Sequence, residues 1–304
     1  MKQIKKLRWW WLVLPVVLVL FVLSEVGLRL AGVTDFPVYD TDETIGYIPA
    51  PGQQGSFLNR NGWQVNERSM GSDAWQPNGQ RDVLLLGDSV VWGGNPLNQP
   101  DKLGPVLQGK LPQWRVWSAS AGSWSVLNQV AYLDRYADVQ QEADVLVWVL
   151  NTADFAEKRS VWSSDATHPR SKPLSAVWHV AEKYLLPRVI LSRTAEQPNR
   201  RTAEQPDLIA ADTIRVLQKR LAQLAPGKRV LVVLYPDQTE LKAATPHYLA
   251  FRQGLRNAMD GCCELLEVRE DAQWQPHLYR DSIHPTADGN RVLASMIEKR
   301  LALP

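Results

Sequence analysis

Three residues in this sequence have the types and spacing that nucleophilic catalysis needs. Ser89 directly follows an apolar run of strand length, in LLLGDSVVWGG, and a serine hydroxyl becomes an effective nucleophile once a base takes its proton. Asp281 and His284 stand three residues apart in DSIHPTADGN, just before a helical pattern. At this spacing the carboxylate can hydrogen-bond one ring nitrogen and leave the other facing a serine. The three side chains therefore predict a catalytic Ser-His-Asp triad.

Each part of this pattern has a simpler explanation when it is taken alone. Asp88 or Ser89 would serve equally well as the N-cap of a helix. A lone histidine beside a proline, such as His284 before Pro285, is more often a loop residue than a catalyst. The combination of the two segments is what makes the prediction specific. The remaining histidines have no matching partners in the sequence and are interpreted as structural or surface residues: His168, His179, His247 and His277.

The elements that must position the triad follow from alternating hydrophobic patterns. Helical spacing separates continuous apolar runs of strand length, and this alternation predicts a parallel sheet covered on both faces. The predicted fold is therefore a doubly wound α/β sandwich, in which ligands bind at the carboxyl ends of the strands. The predicted strands are 82–86, 115–119, 144–150, 229–235 and 265–268. The predicted helices are 102–111, 126–137, 208–224, 246–258 and 286–301.

With Gly-Asp-Ser at 87–89 and Asp-Ser-Ile-His-Pro at 281–285, the chain resembles the GDSL/SGNH hydrolase family. The resemblance covers about residues 81–304. It implies a flavodoxin-like three-layer α/β/α sandwich with a parallel sheet, which is the SGNH hydrolase fold. It also implies ester hydrolysis by Ser89, Asp281 and His284 without a metal or an organic cofactor.

The same resemblance suggests an oxyanion hole. Gly122 in SASAGSWS matches the family's second block, and Asn151 in VWVLNTADF matches the third. The backbone N–H groups of Ser89 and Gly122 and the side-chain amide of Asn151 would then hold the oxyanion. The family often has glycine before this asparagine, where Leu150 stands here. Asn151 would otherwise be a strand-end cap and Gly122 a simple turn, with Asp154 or a backbone group in the place of the amide.

The N-terminus predicts a membrane anchor. Residues 1–8 carry four Lys and Arg residues, and residues 9–23 carry no charge. Continuing to Leu30 gives a transmembrane helix at 9–30, and the positive-inside rule places residues 1–8 in the cytoplasm. The expected location is a bacterial inner membrane, crossed once, with the catalytic domain in the periplasm. A cleaved signal peptide is the alternative, although no A-x-A cleavage pattern is present.

Composition excludes several classes of function. With 45% hydrophobic residues among 304, the chain can bury a sizeable core. The net charge of +2 gives no support for a nucleic-acid partner. Cys262 and Cys263 are adjacent, a spacing that rarely forms a disulfide and that matches no metal site. We therefore expect no metal and no nucleic acid.

Other segments lie outside the regular pattern. Residues 31–80 read as an irregular lead-in with two short strands, before a hydrolase domain at 81–304. An insertion at 156–207 interrupts that domain and contains a duplicated octapeptide, RTAEQPNR at 193–200 and RTAEQPD from 201. It is interpreted as a surface loop, with a lid over the site or a partner surface as the alternative.

The basic start, the single apolar helix and the lead-in motif Asp42 to Tyr47 resemble bacterial anchored SGNH proteins of cell-surface polysaccharides. This resemblance implies an esterase acting on acyl, and specifically O-acetyl, groups of an envelope carbohydrate. The first alternative is an O-acyltransferase that receives its acyl group from a multi-pass membrane partner. The second is a non-catalytic polysaccharide assembly protein, against which the intact triad argues.

Overall fold

The computed structural model describes residues 4–76, 80–155, 158–164, 167–186, 211–224, 226–259 and 261–302. The duplicated octapeptide at 193–207 lies outside these residues. Of the insertion at 156–207, the structure describes residues 158–164 and 167–186.

A single parallel sheet organises the chain after the lead-in. Its strand order is β6-β5-β7-β8-β9, which is the 2-1-3-4-5 order of flavodoxin-like folds. Every residue of the β7 sequence VLVWVL is buried, as expected for a strand covered on both faces. The strands are β5 (Arg81–Gly87), β6 (Trp114–Ser120), β7 (Val145–Leu150), β8 (Arg229–Leu234) and β9 (Glu264–Glu267).

Helices cover both faces of this sheet, so the predicted three-layer sandwich is confirmed. Alternate strand residues face opposite layers: Trp148 joins the core on one face and Val147 the core on the other. The first layer contains Val126–Arg135, Ala137–Glu142, Ala211–Leu224 and Pro246–Ala258. The second contains Ser89–Trp92, Leu103–Lys110 and Ala287–Leu301. Two further short helices are Ala176–Val180 and Gln238–Lys242.

The predicted helix at 126–137 ends early. Tyr136 leaves helical geometry with φ −112° and ψ 59°, so the segment divides into Val126–Arg135 and Ala137–Glu142. Of the predicted helix at 208–224, the structure describes the part from Ala211 onward. The other predicted strands and helices agree with the structure to within one residue at each end.

The lead-in is more regular than its composition predicts. It forms two antiparallel hairpins, β1 (Tyr39–Asp42) with β2 (Gly46–Pro49), and β3 (Gln53–Phe57) with β4 (Asn61–Val65). The sequence suggested only two strands because each strand has four or five residues, too few for a clear alternating pattern. Tyr39 and Tyr47 are buried in the same core as β7, so the hairpins pack onto the sandwich.

The N-terminal helix Ile4–Leu30 is long and apolar enough over Val13–Leu30 to cross a membrane, although a signal sequence would meet the same description. Its C-terminal end contacts the insertion. Glu25 accepts hydrogen bonds from Ser175 Oγ and from the backbone N–H groups of Ala176 and Val177, at 2.9 to 3.0 Å. The carboxylate therefore caps the short helix Ala176–Val180.

Candidate active site

Ser89 is held at the carboxyl end of β5 by a tight turn. Asp88 caps the following helix, with Oδ1 accepting a hydrogen bond from Val90 N–H at 2.9 Å. Gly87 is needed for close packing, because a Cβ there would lie 2.6 Å from Val91 Cγ2 and 3.1 Å from Val149 O. The N-cap alternative thus describes Asp88 correctly. Ser89 itself is the first residue of this helix, and its side chain is half-buried.

The three predicted triad side chains form a continuous hydrogen-bonded chain. His284 Nε2 lies 2.9 Å from Ser89 Oγ. On the other side of the ring, His284 Nδ1 lies 2.8 Å from Asp281 Oδ2 and 2.9 Å from Oδ1. Because an ionised carboxylate only accepts, Nδ1 carries the proton and Nε2 is free to accept from the serine hydroxyl. This is the tautomer that a general base requires.

The surroundings of Asp281 favour the ionised form of its carboxyl group. Its Oδ1 accepts hydrogen bonds from the backbone N–H groups of Ile283 at 3.0 Å and His284 at 2.8 Å. Burial alone would raise the pKa of the Asp281 carboxyl, but these two hydrogen bonds and the imidazole outweigh it, so its pKa lies below the ordinary value. The loop is fixed from behind by Tyr235, whose hydroxyl donates to Ile283 O at 2.6 Å.

The structure brings Asn151 close to the nucleophile through Asp88. Asp88 Oδ2 lies 3.2 Å from Asn151 Nδ2 and 3.3 Å from Ser89 Oγ, so one carboxylate oxygen bridges the amide and the hydroxyl. Asn151 is also the strand-end cap that the alternative predicted, because its Oδ1 accepts from Ala153 N–H at 2.9 Å. The two descriptions are compatible, since different atoms of the same amide serve each contact.

Asp154 does not take the place of that amide. Its Oδ2 accepts a hydrogen bond from the backbone N–H of Asn151 at 3.0 Å, so the carboxyl turns back toward the strand end. Burial, and then the charge of nearby Asp88, raise the pKa of Asp154 well above its usual range. Burial also raises the pKa of Asp88. The buried carboxyls near the serine are therefore destabilised as anions.

Gly122 lies in the wall of the site, held by two residues that the sequence left without a role. Its carbonyl accepts a hydrogen bond from Tyr47 Oη at 2.6 Å and one from His168 Nε2 at 3.0 Å. Because a carbonyl only accepts, His168 carries its proton on Nε2, and burial lowers the pKa of its imidazole. His168 is structural, as predicted, but it is part of the site. The only sequence signal for Tyr47 was its position in the Asp42 to Tyr47 motif.

A cavity of about 240 Å³ opens onto the serine and the imidazole. Half of its lining residues belong to the lead-in and the insertion, so two segments outside the regular α/β pattern help to shape the space beside the triad. Its lining residues are Phe36, Pro37, Tyr39, Ser89, Trp92, Gly94, Asn95, Gly122, Thr167, His168, Pro169, Lys183, Arg280 and His284. A separate cavity of about 330 Å³, lined by residues such as Gln64 and Trp117, contains no triad residue.

Within the described ranges, no group of three or more His, Cys, Asp or Glu side chains is arranged to hold a metal ion.

No family model matches the chain, and no curated protein matches it. Solved structures of similar shape include a lipolytic protein of the G-D-S-L family from Veillonella parvula, with 11% identity and a TM-score of 0.47, covering 74% of this chain and 100% of that one. Another is an acetyl xylan esterase variant from Geobacillus stearothermophilus, with 15% identity and a TM-score of 0.43, covering 74% and 95%.

A third is a putative lipolytic protein of the G-D-S-L family from Desulfitobacterium hafniense, with 13% identity and a TM-score of 0.41, covering 72% of this chain and 98% of that one. At this level of identity and overlap the similarity says nothing about the reaction. The chain is thus similar in structure to G-D-S-L lipolytic proteins.

Proposed function

We propose that the protein is a carboxylic ester hydrolase with Ser89 as its nucleophile. The observation that carries this proposal is the unbroken chain from Ser89 Oγ to His284 Nε2 at 2.9 Å and from His284 Nδ1 to Asp281 at 2.8 Å. His284 takes the serine proton as Oγ attacks the ester carbonyl, and it later gives that proton to the leaving alcohol. Water then hydrolyses the acyl-enzyme by the same route in reverse.

The negative charge that develops on the carbonyl oxygen needs donors. The backbone N–H groups of Ser89 and Gly122 and the Asn151 amide supply them in this proposal. Two observations support it: the Gly122 carbonyl is fixed by Tyr47 and His168, and the Asn151 amide lies 3.2 Å from the carboxylate that also contacts Ser89 Oγ. Donors that are fixed before the reaction stabilise the transition state without reorganisation.

The substrate class is an O-acetyl or other short acyl ester on a carbohydrate of the cell envelope. A cavity of about 240 Å³ suits a short acyl group together with part of one sugar. Aromatic side chains of Phe36, Tyr39 and Trp92 lie in its walls, and aromatic faces fit the apolar face of a pyranose. The envelope location rests on the N-terminal helix and on the four positive charges before it.

The test uses the purified full-length chain in detergent. It should release acetate from an aryl acetate and from an O-acetylated polysaccharide, and Ser89→Ala should remove both activities. Ser295→Ala is the matched control, because Ser295 donates to a backbone carbonyl in the helix Ala287–Leu301 and does not line the cavity. An unchanged rate in Ser89→Ala would overturn the proposal.

The same reaction mixture separates hydrolysis from acyl transfer. When a non-acetylated glycan is added, an esterase continues to release acetate to water. A transferase would instead deposit the acetyl group on the added glycan. If acetylated glycan forms at the expense of free acetate, the protein is an acyltransferase rather than an esterase. The same three residues would keep the same roles.

A further inference from the structure

Arg280 stands beside the triad, and its guanidinium has no hydrogen-bond partner among the described residues. It precedes Asp281 in the chain, and its side chain lines the cavity together with Ser89 and His284. Its backbone N–H donates to His284 O at 2.9 Å, which fixes the start of the side chain relative to the imidazole. Any group held by this guanidinium would therefore have a fixed position relative to the reacting ester.

The guanidinium makes no hydrogen bond to any residue that the structure describes. The one nearby carboxylate is that of Asp281, whose Oδ2 is 3.8 Å from Arg280 Nε, beyond hydrogen-bond distance. That carboxylate already accepts hydrogen bonds from the His284 imidazole and from two backbone N–H groups. Arg280 Nη1 is enclosed by protein and has no hydrogen-bond partner in the described ranges. An arginine stays charged under these conditions, and enclosed N–H donors without an acceptor are costly.

The surroundings add positive charge. Lys183 also lines the cavity, and none of the lining residues is an aspartate or a glutamate. Behind the cavity wall, Lys102 is only 4% exposed, with its ammonium 5.1 Å from the centre of the Trp92 ring. In the described part of the chain Lys102 has no carboxylate partner. The pocket therefore presents two cations to a substrate, with a third close behind, and no acid among its lining residues.

We propose that Arg280 binds an anionic substituent of the acylated sugar, so that the substrate is an acidic rather than a neutral carbohydrate ester. The anion is the carboxylate of a uronic acid or a phosphate on the sugar. Both match the planar fork of a guanidinium, which can bind two oxygens at once. This inference rests on the proposed function, because it names the substrate class of the same site.

Kinetics on matched substrates test the proposal. The substrates are an O-acetylated uronate oligosaccharide, its neutral methyl ester, an O-acetylated sugar phosphate and an aryl acetate. The wild-type protein should prefer the uronate over its methyl ester by about 10- to 100-fold in kcat/KM, as expected for charge-assisted hydrogen bonds. A preference for the phosphate over the uronate would identify the anion as phosphate, and the reverse preference would identify it as the carboxylate.

Arg280→Gln should raise KM for the preferred anionic substrate by about 10- to 100-fold with a smaller change in kcat, and should erase the preference for charge. Its activity on the aryl acetate, which carries no anionic substituent, should fall by much less than its activity on the anionic substrate. Arg280→Lys keeps the charge but not the fork, so it should retain part of the preference. Arg215→Gln is the matched control, because Arg215 is an exposed arginine whose side chain is 72% accessible and pairs with Asp212.

Two results would overturn the inference while leaving the esterase intact. In one, the wild-type protein hydrolyses the aryl acetate but prefers neither the uronate nor the sugar phosphate over the neutral methyl ester. The other is an equal loss in Arg280→Gln on every substrate. If no substrate is hydrolysed, the inference can still be tested by measuring binding to Ser89→Ala by calorimetry. The pocket should bind the acidic oligosaccharide or the sugar phosphate more tightly than the methyl ester. Equal binding there would also overturn it.

Discussion

Asn151 donates its side-chain amide to Asp88 Oδ2 at 3.2 Å, across the carboxyl ends of two neighbouring strands. The contact joins β7 to β5 at the point where the strand order reverses, with β6 on one side of β5 and β7 on the other. Ligands of open α/β sheets bind at this point of the fold. Because the same carboxylate oxygen is 3.3 Å from Ser89 Oγ, the amide is positioned relative to the nucleophile by a shared partner.

Replacing Asn151 by alanine should therefore slow the reaction rather than weaken binding. We expect kcat to fall by about 10²- to 10³-fold with a smaller change in KM, because the amide is aimed at charge that develops only in the transition state. Steady-state kinetics on an aryl acetate measures both constants. Asn257→Ala, at an exposed position of the helix Pro246–Ala258, is the control and should leave both unchanged. An unchanged kcat in Asn151→Ala would remove the amide from the oxyanion hole.

Removal of the triad members should be strongly non-additive. Ser89→Ala and His284→Ala should each abolish measurable ester hydrolysis, and the double variant should lose little more than either single one. The physical reason is that the imidazole has no proton to accept once the hydroxyl is absent. A fluorophosphonate probe, located by mass spectrometry, should label Ser89 alone in the wild-type protein. Labelling of another serine in Ser89→Ala would point to a different nucleophile.

Lys102 gives a prediction about stability and pH. Burial, and then the charge of Arg280, lower the pKa of the Lys102 ammonium from 10.5 to about 8. Between these two values the unfolded chain binds a proton that the folded chain lacks, so this group makes stability rise with pH across that window. Below pH 8 both states are charged, and the full cost of burying the charge is present.

Lys102→Met should accordingly stabilise the protein at pH 7, by at most about 3 kcal/mol at about 1.36 kcal/mol per pH unit. The gain should shrink between pH 8 and 10.5, where the wild-type lysine becomes neutral in the folded state. Thermal melts of both proteins in detergent at several pH values measure this difference. Lys219→Met, at an exposed lysine, should change stability by only a few tenths of a kcal/mol. A gain that is independent of pH would contradict the assignment.

The proposed topology can be tested on its own. A reporter that is active only outside the cytoplasm should be active when it is fused after Pro304. Protease added to opened cells with intact inner membranes should digest the chain beyond residue 31. Detergent should be needed to extract the protein. Protection of the C-terminal domain from protease would refute this topology and remove envelope glycans as substrates. Release of a soluble form beginning near Glu25 would instead show cleavage of the anchor.

The sheet and the nucleophile follow from local patterns. An apolar run such as VLVWVL needs burial on both faces whatever surrounds it, and Gly-Asp-Ser follows such a run at Ser89. The contacts of Gly122 do not follow in this way. Tyr47 reaches its carbonyl across 75 residues of sequence and His168 across 46, and no short-range pattern encodes either distance.

Arg280 illustrates the same limit. In the sequence it is an ordinary arginine before a predicted catalytic aspartate. In the folded chain its Nε lies 3.8 Å from Asp281 Oδ2, within ion-pair distance but without a hydrogen bond. The lack of a hydrogen bond to that aspartate is a property of the folded loop. Backbone N–H groups and the imidazole occupy the Asp281 oxygens first.

The cap that Glu25 places on the helix Ala176–Val180 has a mechanical consequence. A domain attached to a membrane helix only through the chain can swivel freely about that link. This domain has a second attachment, because Arg29 also donates to Leu174 O at 2.7 Å next to the capped helix. The segment continues to Lys183, in the cavity wall. Tilting the helix Ile4–Leu30 would therefore displace one side of the cavity beside Ser89, and removing this helix would leave that side without these contacts.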